Sequence, residues 1–374
     1  MVSMRRSIWE SEGVEPWFTL RQEAQQRGFL AEWAPLGLPE EAQRRYRAWL
    51  EAGNHASMDY LLPSTRLEPA QRFAWARSVL VLAAPQAYPD PGPPEGGVRL
   101  GRVARYAWVR DYHVLLEPYL RELEDCAAKL GVQAKGYVDT GPFSERSYAV
   151  LSGLGWVGRN AMLMRMGEGA YLSLALLLTS LEPPEPAPPY PNRCGRCTRC
   201  LTACPTGALL GDGTLDARRC ISYWTIEHRG LIPAPLWPLI GDWLFGCDLC
   251  QEVCPWNRKP QVFWSGFRPE PELAHPDLEE FFSLSSRAFA RRYERTVFLR
   301  PGRTRMARNA LIVLANRQEH LPLVRRAAGD VNPVVRATAA RALARFGDWD
   351  AVARLGHDPQ PEVAQEAQAV LAGR

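Results

Sequence analysis

The residues with the plainest chemistry in this chain are its thiols. Eight of the nine cysteines fall between Cys194 and Cys254, seven of them in two runs that each end in proline. The first is Cys194-x2-Cys197-x2-Cys200-x3-Cys204-Pro205 and the second Cys247-x2-Cys250-x3-Cys254-Pro255. Three thiolates on one tight loop can each hold a different iron of a cubane, while the fourth, past the turn, points at a neighbouring cluster. The second run lacks one loop ligand, and Cys220 is the spare that replaces it. The eight then divide without remainder: Cys194, Cys197, Cys200 and Cys254 for one [4Fe-4S] cluster, Cys204, Cys220, Cys247 and Cys250 for the other. Structural zinc is the alternative, but zinc sites favour two isolated C-x2-C pairs. Cys126 lies in a helical pattern and reads as a small buried hydrophobe.

Two cubanes move single electrons and do no organic chemistry themselves. A ferredoxin-like module inside 374 residues therefore needs a partner chemistry, and three strips upstream offer candidates. Val138-Asp139-Thr140-Gly141-Pro142-Phe143-Ser144-Glu145-Arg146 places a carboxylate where a predicted strand runs out into a Gly-Pro turn, the position at which open α/β sheets bind ligands. Alone, such an aspartate is more often an Asx-turn or N-cap residue than a catalytic acid. Leu154-Gly155-Trp156-Val157-Gly158-Arg159-Asn160 has glycines that let backbone approach a large ligand, or merely make a turn. Arg105-Tyr106-Ala107-Trp108 and Asp111-Tyr112-His113 form a polar aromatic strip just before a helix.

The formal charge is only +4, which excludes a uniformly basic nucleic-acid coat. It conceals a local excess. Arg287, Arg291, Arg292, Arg295, Arg300, Arg303, Arg305 and Arg308 occur with Glu294 as the one counter-charge, eight minus one, or +7. A solvated helix face is the ordinary reading of an arginine run. Beside a repeat that continues with Arg325, Arg326, Arg336, Arg341 and Arg345, a phosphate-binding concavity is the better one.

Residues 11–180, which must position the upstream strips, mix helices with short apolar strands. Strands are expected at Arg77–Ala84, Gln133–Val138 and Tyr171–Leu178, with a helix from Tyr112 to Leu130 closed by Gly131. This is an α+β or α/β domain. Pro85 to Gly97, with five prolines and three glycines, should be a loop or lid, and six prolines between Pro183 and Pro191 make a stiff connector. Segments beginning at Met306, Val335 and Val363 align at offsets of 29 and 28 residues, with Pro333 and Pro361 at matching positions before the last two. That period indicates a short HEAT-like α-solenoid. The expected domains are 1–182, 183–270 and 271–374.

This ordered set of motifs, V-D-T-G-P at 138–142, G-L-G-W-V-G at 153–158, the two cysteine runs and the HEAT-like end, resembles the epoxyqueuosine reductase family over nearly the whole chain. The resemblance implies reduction of epoxyqueuosine to queuosine at the wobble base of tRNA, the last step of queuosine biosynthesis, with cobalamin and two [4Fe-4S] clusters as cofactors. It implies a cobalamin-binding N-terminal domain, a proton-donor role for Asp139, and corrinoid contacts at Met58, Arg105, Tyr106, Asp139, Leu163, Leu174 and Glu227. It also assigns the Arg287–Arg308 run to tRNA. Tyr223, Trp224, Trp243 and Trp256 become candidates to stack on an extruded base, although core packing explains each equally well.

The partners expected are modified tRNA and an external flavodoxin- or ferredoxin-type electron donor, with the protein acting as a monomer. No stretch approaches the roughly 20 apolar residues of a membrane span. Arg5-Arg6 is followed by Glu10, Glu12 and Glu15 rather than an apolar export segment, so a cytoplasmic location is expected. Reductive dehalogenases, which also combine a corrinoid with two cubanes, are the rival enzymes, and a ferredoxin-type carrier on a HEAT scaffold is the non-enzymatic rival.

Overall fold

The computed structural model describes residues 15–95, 100–185, 187–258 and 263–374, so that Arg5-Arg6 and the tip of the Pro85–Gly97 loop lie outside the described residues. Its N-terminal part is built on one four-stranded sheet: Leu30–Pro35, Ser78–Pro85, Leu172–Thr179 and Ala134–Tyr137, in that spatial order. Every neighbouring pair is antiparallel, with Leu80 opposite Leu177 and Gly136 opposite that same Leu177 on the other side. Of the two fold classes expected, the domain is therefore α+β.

The central Ser78–Pro85 strand is buried at every position because both faces are covered. Leu80 and Leu82 pack with Leu20 and Leu116 of the helices Pro16–Gln26 and Tyr112–Lys129. Val79 and Val81 face the other way, onto Tyr148 of the helix Glu145–Leu151. Period-two alternation between two apolar layers removes the usual polar face and produces an uninterrupted apolar run.

The cysteine segment is tied to this domain by a parallel pairing of Arg102–Val103 with Trp243–Phe245, and by Asp248, whose Oδ2 accepts from the Arg105 amide at 2.6 Å. Beyond it, the helices Gly302–Arg317, Pro333–Arg345 and Pro361–Ala372 stack in series, with Leu321–Ala327 and Trp349–Leu355 between them. Alanines 310, 315, 337, 339, 340, 342 and 367 are nearly or fully buried, which lets the helices approach closely. Proline begins the second and third, where its missing N–H leaves nothing unpaired. One apolar core runs from Leu116 through Trp243 and Phe245 to Phe298, Leu314 and Val335, so the three regions pack as one body. No helix among the described residues is long and apolar enough to cross a membrane.

Candidate active site and cluster ligands

Asp139 follows the edge strand Ala134–Tyr137 in a turn that puts it at φ +52°, a left-handed conformation that Asp tolerates better than most residues. The sheet is antiparallel, so its position does not follow from the parallel-sheet ligand rule; the turn itself is what aims it. Phe143 anchors that turn, lying against Phe73 at 5.6 Å and Tyr137 at 5.2 Å between ring centroids. A side chain at Gly141 would come within 2.6 Å of Phe143, so only glycine admits this packing.

Two groups converge on the Asp139 carboxylate, and a third orients one of them. Tyr112 donates its hydroxyl to Oδ2 at 3.0 Å, and His113 Nε2 stands 3.5 Å from the same oxygen. Asp111 caps the helix by accepting from the His113 amide at 3.0 Å, and its Oδ1 also accepts from His113 Nδ1 at 2.6 Å. One aspartate thus starts the helix and orients the imidazole. Burial works against charge on the His113 ring, but Asp111 and Asp139 outweigh it and push the pKa up to about 9. The same contact with His113 holds Asp139 below the usual carboxylate range; burial opposes this, and Tyr112 and Arg300 add to it. At neutral pH the proton therefore rests on His113, and Asp139 is the carboxylate that can receive and pass it on.

Glu145 completes the turn by accepting from the Asp139 amide at 2.7 Å. Burial, with the nearby Asp139 charge, pushes its pKa up to about 8. On the far side of the site, Glu227 accepts from Arg300 Nε at 2.6 Å, and Arg300 lies over Tyr60 at 5.4 Å from the ring centroid. Tyr60, Leu62 and Leu299, on the two stretches of chain that meet where Arg300 lies over Tyr60, expose 47%, 49% and 43% of their surface. The carbonyl of Arg295 accepts from the Asp111 amide, joining the arginine segment to the site.

Of the residues expected to meet a corrinoid, Tyr106, Met58 and Glu227 border this place. Tyr106 lies 6.1 Å from Tyr112, and Met58 accepts from the Tyr60 hydroxyl at 3.3 Å. Arg105 is clamped between Trp108 and Tyr171 at 4.8 and 4.7 Å. Leu163 is buried in the core, and Leu174 is half-buried on the strand beside it, so neither offers a free side chain. Two buried polar atoms on the flanking segments, His55 Nδ1 and Arg105 Nε, have no hydrogen-bond partner among the described residues.

The arginine run is where the structure departs most from expectation. Arg287, Arg291, Arg292, Arg295 and Arg300 are exposed and Arg305 is half-buried, but Arg303 and Arg308 are 7% and 0% exposed. Arg303 pairs with buried Asp330. Arg308 donates to the carbonyls of Trp224, His228 and Gly230 and to Asn309, fastening the cysteine segment to the first HEAT helix. These two are corrected from phosphate contacts to internal cations, because each is packed against another segment, Arg303 on Leu284 and Asp330 and Arg308 on the cysteine segment. Tyr223 and Trp243 are likewise core residues at 7% and 3% exposure, and Trp224 and Trp256 are half-buried.

The cysteines form two groups. Cys254 lies within electrostatic reach of Cys194 and Cys197, and Cys200 of Cys254 and Cys194. Cys250 is near Cys247, Cys220 and Cys204. Burial raises the thiols of Cys220, Cys247 and Cys250, a cost to the thiolate form that the positive charge of bound iron would offset. No three His, Cys, Asp or Glu residues among those described are close enough for a single ion. A cubane's ligands, each on a different iron, stand further apart than that. Cys126 is buried on its helix.

Fold and site together define an oxidoreductase in which an iron–sulfur module abuts a proton-carrying pocket. Residues 193–257 match the 4Fe-4S double cluster binding domain, 66–140 the domain described as Epoxyqueuosine reductase QueG, DUF1730, and 299–372 HEAT repeats. The chain is 37% identical to the epoxyqueuosine reductase of Pseudomonas aeruginosa over 325 residues, covering 82% of this chain and 88% of that one. It is 33% identical to the Escherichia coli enzyme over 317 residues, with 79% and 81% covered. A crystal structure of epoxyqueuosine reductase with an epoxyqueuosine-modified tRNA-Tyr stem loop superposes with a TM-score of 0.87 at 30% identity, covering 95% of this chain and 98% of that one. The Bacillus subtilis enzyme, in a structure whose catalytic aspartate loop is swung out of the active site, gives 0.86 at 28% identity, with the same coverage. This chain belongs to the epoxyqueuosine reductase family.

Proposed function

We propose that this protein reduces epoxyqueuosine to queuosine in tRNA in the cytoplasm, acting as a monomer. The overall change takes two electrons and two protons, opens the epoxide, and releases water as the alkene forms. The observation that carries the reading is the Asp139 carboxylate, held in a strained turn against a protonated His113 and bordered by the segment that leads to Asp248 and Cys250.

An epoxide oxygen leaves as an alkoxide unless an acid meets it, so a positioned proton lowers the barrier. Asp139 delivers that proton and His113 restores it, with Tyr112 fixing the carboxylate and Glu145 the turn. The catalytic aspartate loop named for the Bacillus subtilis relative supports this role for the Asp139 turn.

The exposed apolar surface of Tyr60, Leu62 and Leu299, with unpartnered His55 Nδ1 three residues before Met58, fits a flat macrocycle fringed with amides. Met58, Tyr60, Tyr106 and Glu227 would hold it. When bound, cobalamin supplies reduced cobalt as the immediate reductant beside Asp139. Cys194, Cys197, Cys200 and Cys254 would hold one [4Fe-4S] cluster and Cys204, Cys220, Cys247 and Cys250 the other, and the pair would supply single-electron transfer from an external low-potential carrier. Arg287, Arg291, Arg292, Arg295 and Arg300 face the tRNA phosphates, a reading supported by the stem loop in the related structure.

The test is Asp139→Asn. Corrinoid content and stem-loop affinity stay unchanged, while queuosine formation, read by mass analysis of tRNA nucleosides, falls by roughly 10²–10⁴-fold. Largely intact turnover removes Asp139 from the donor role.

A further inference from the structure

Cys197 is the one exposed cysteine among the described residues, and its surroundings are unusually one-signed. Arg193, Arg196 and Arg199 are all exposed on the same loop, and Arg258 is exposed four residues after Cys254. None of these four makes an ion pair or a side-chain hydrogen bond among the described residues, whereas Arg300, Arg317, Arg325 and Arg336 are each paired with a carboxylate. From Ala187 to Gly211 the sequence contains no aspartate or glutamate. The loop rests on the N-terminal domain: Arg159 donates to the Gly195 carbonyl at 3.0 Å, and Tyr190 stacks on Trp156 at 5.5 Å. The exposed arginines of the 287–300 run belong to a different segment, one that packs on the Asp111–Asp139 site.

We propose that Arg193, Arg196, Arg199 and Arg258 form the docking collar for an acidic one-electron carrier protein, which delivers electrons at the cluster held by Cys194, Cys197, Cys200 and Cys254. The inference rests on the reductase reading above. The chain then carries two basic faces for two polyanions, RNA beside Asp139 and a protein carrier around Cys197. Unpaired charge around a solvent-facing redox centre raises the encounter rate of an oppositely charged partner without requiring tight binding, which suits a carrier that must leave after each transfer. In each encounter the carrier is oxidised by one electron and one cluster is reduced from the 2+ to the 1+ state; two encounters supply the two electrons of one turnover. The arginine fork also suits carboxylates on the carrier surface.

The experiment is anaerobic stopped-flow bleaching of the iron–sulfur absorption in the loaded full-length enzyme, with a photoreduced, strongly acidic flavodoxin as donor at low ionic strength. Replacing all four arginines (Arg193→Ser, Arg196→Ser, Arg199→Ser, Arg258→Ser) should slow bleaching about 10-fold or more and flatten its dependence on salt. Bleaching by methyl viologen radical cation and affinity for the tRNA stem loop should not change. If the quadruple variant does not load iron, Arg196→Glu alone is measured in the same way and should slow flavodoxin bleaching several-fold. An unchanged flavodoxin rate overturns the proposal. So does a loss of stem-loop affinity with that rate intact, which would give the face to RNA. Because cluster bleaching is read rather than product, fast flavodoxin bleaching without queuosine formation would overturn the reductase reading and leave the docking face standing.

Discussion

The cysteine segment and the Asp139 pocket reach their chemistry by opposite routes. The first draws all eight candidate ligands from Cys194 to Cys254, with spacing that almost writes out its own geometry. The second gathers Tyr60, Tyr112, His113, Asp139, Glu145, Glu227 and Arg300 from across the chain, and no two of its facing groups other than Tyr112 and His113 are sequence neighbours. Electron transfer needs only a buried cluster with correct ligands, whereas proton transfer needs groups of unequal affinity within a few ångströms of one another. The first demand can be met by a local loop. The second is met only by packing.

Breaking the local half should have the largest effect. Cys220→Ala removes the one proposed ligand of the second cluster that lies outside both runs; iron content should fall by about half and queuosine formation should drop below detection, while the Asp139 pocket stays intact. Retention of full iron content would mean that Cys220 is not a ligand.

Breaking the assembled half should be milder and dependent on pH. His113→Asn should lower turnover about 10- to 100-fold, since the carboxylate remains but its proton supply does not. In the unaltered protein, activity that depends on protonated His113 should decline as pH rises through about 9, and the variant should lose that alkaline limb. The sign for stability is the same: a histidine whose pKa is raised in the fold contributes stability fully below about 6.5, lost as pH rises through about 9. A variant that keeps the alkaline limb would place the titration elsewhere.

The seam between the halves is tested by Arg308→Met. Three carbonyls and Asn309 lose their donor in a fully buried place, so stability should fall by about 3 kcal/mol, read by denaturant unfolding, with stem-loop affinity unchanged. A drop in affinity without a drop in stability would return Arg308 to the RNA surface. The smallest effect is expected from Arg287→Ser with Arg291→Ser, which should leave kcat alone and reduce the salt slope of stem-loop binding by roughly 0.7 to 0.9 for each phosphate no longer neutralised.

Much of this architecture was legible from residues alone. The strands expected at Arg77–Ala84, Gln133–Val138 and Tyr171–Leu178 form at Ser78–Pro85, Ala134–Tyr137 and Leu172–Thr179, with each end displaced by one residue, because continuous apolar runs have few other places to go. The helix from Tyr112 ends one residue early, at Lys129, before Gly131 at φ +72°. The repeats at Met306, Val335 and Val363 are the three stacked helices, since a period of about one helix pair repeats one buried face. Asp139 could be placed at the end of a strand from its residues, but its proton-donor role came only through the family resemblance, because a turn aspartate and a proton donor have the same sequence signature. His113 and Tyr112 were visible as a polar aromatic strip without a partner. Tyr60 had no signal at all.

Residue order alone carries the interactions that are local in the chain: the thiol spacing, the apolar periods, the repeat, and the excess of arginine between Arg287 and Arg308. Packing settles the rest: which of those arginines meet water, how the strands between 30 and 179 pair, and that Arg300, with its partner Glu227, comes within electrostatic reach of Asp139. Charge burial and proton affinity depend on distances across elements, and residue spacing along a chain carries no record of those distances once the segments are far apart.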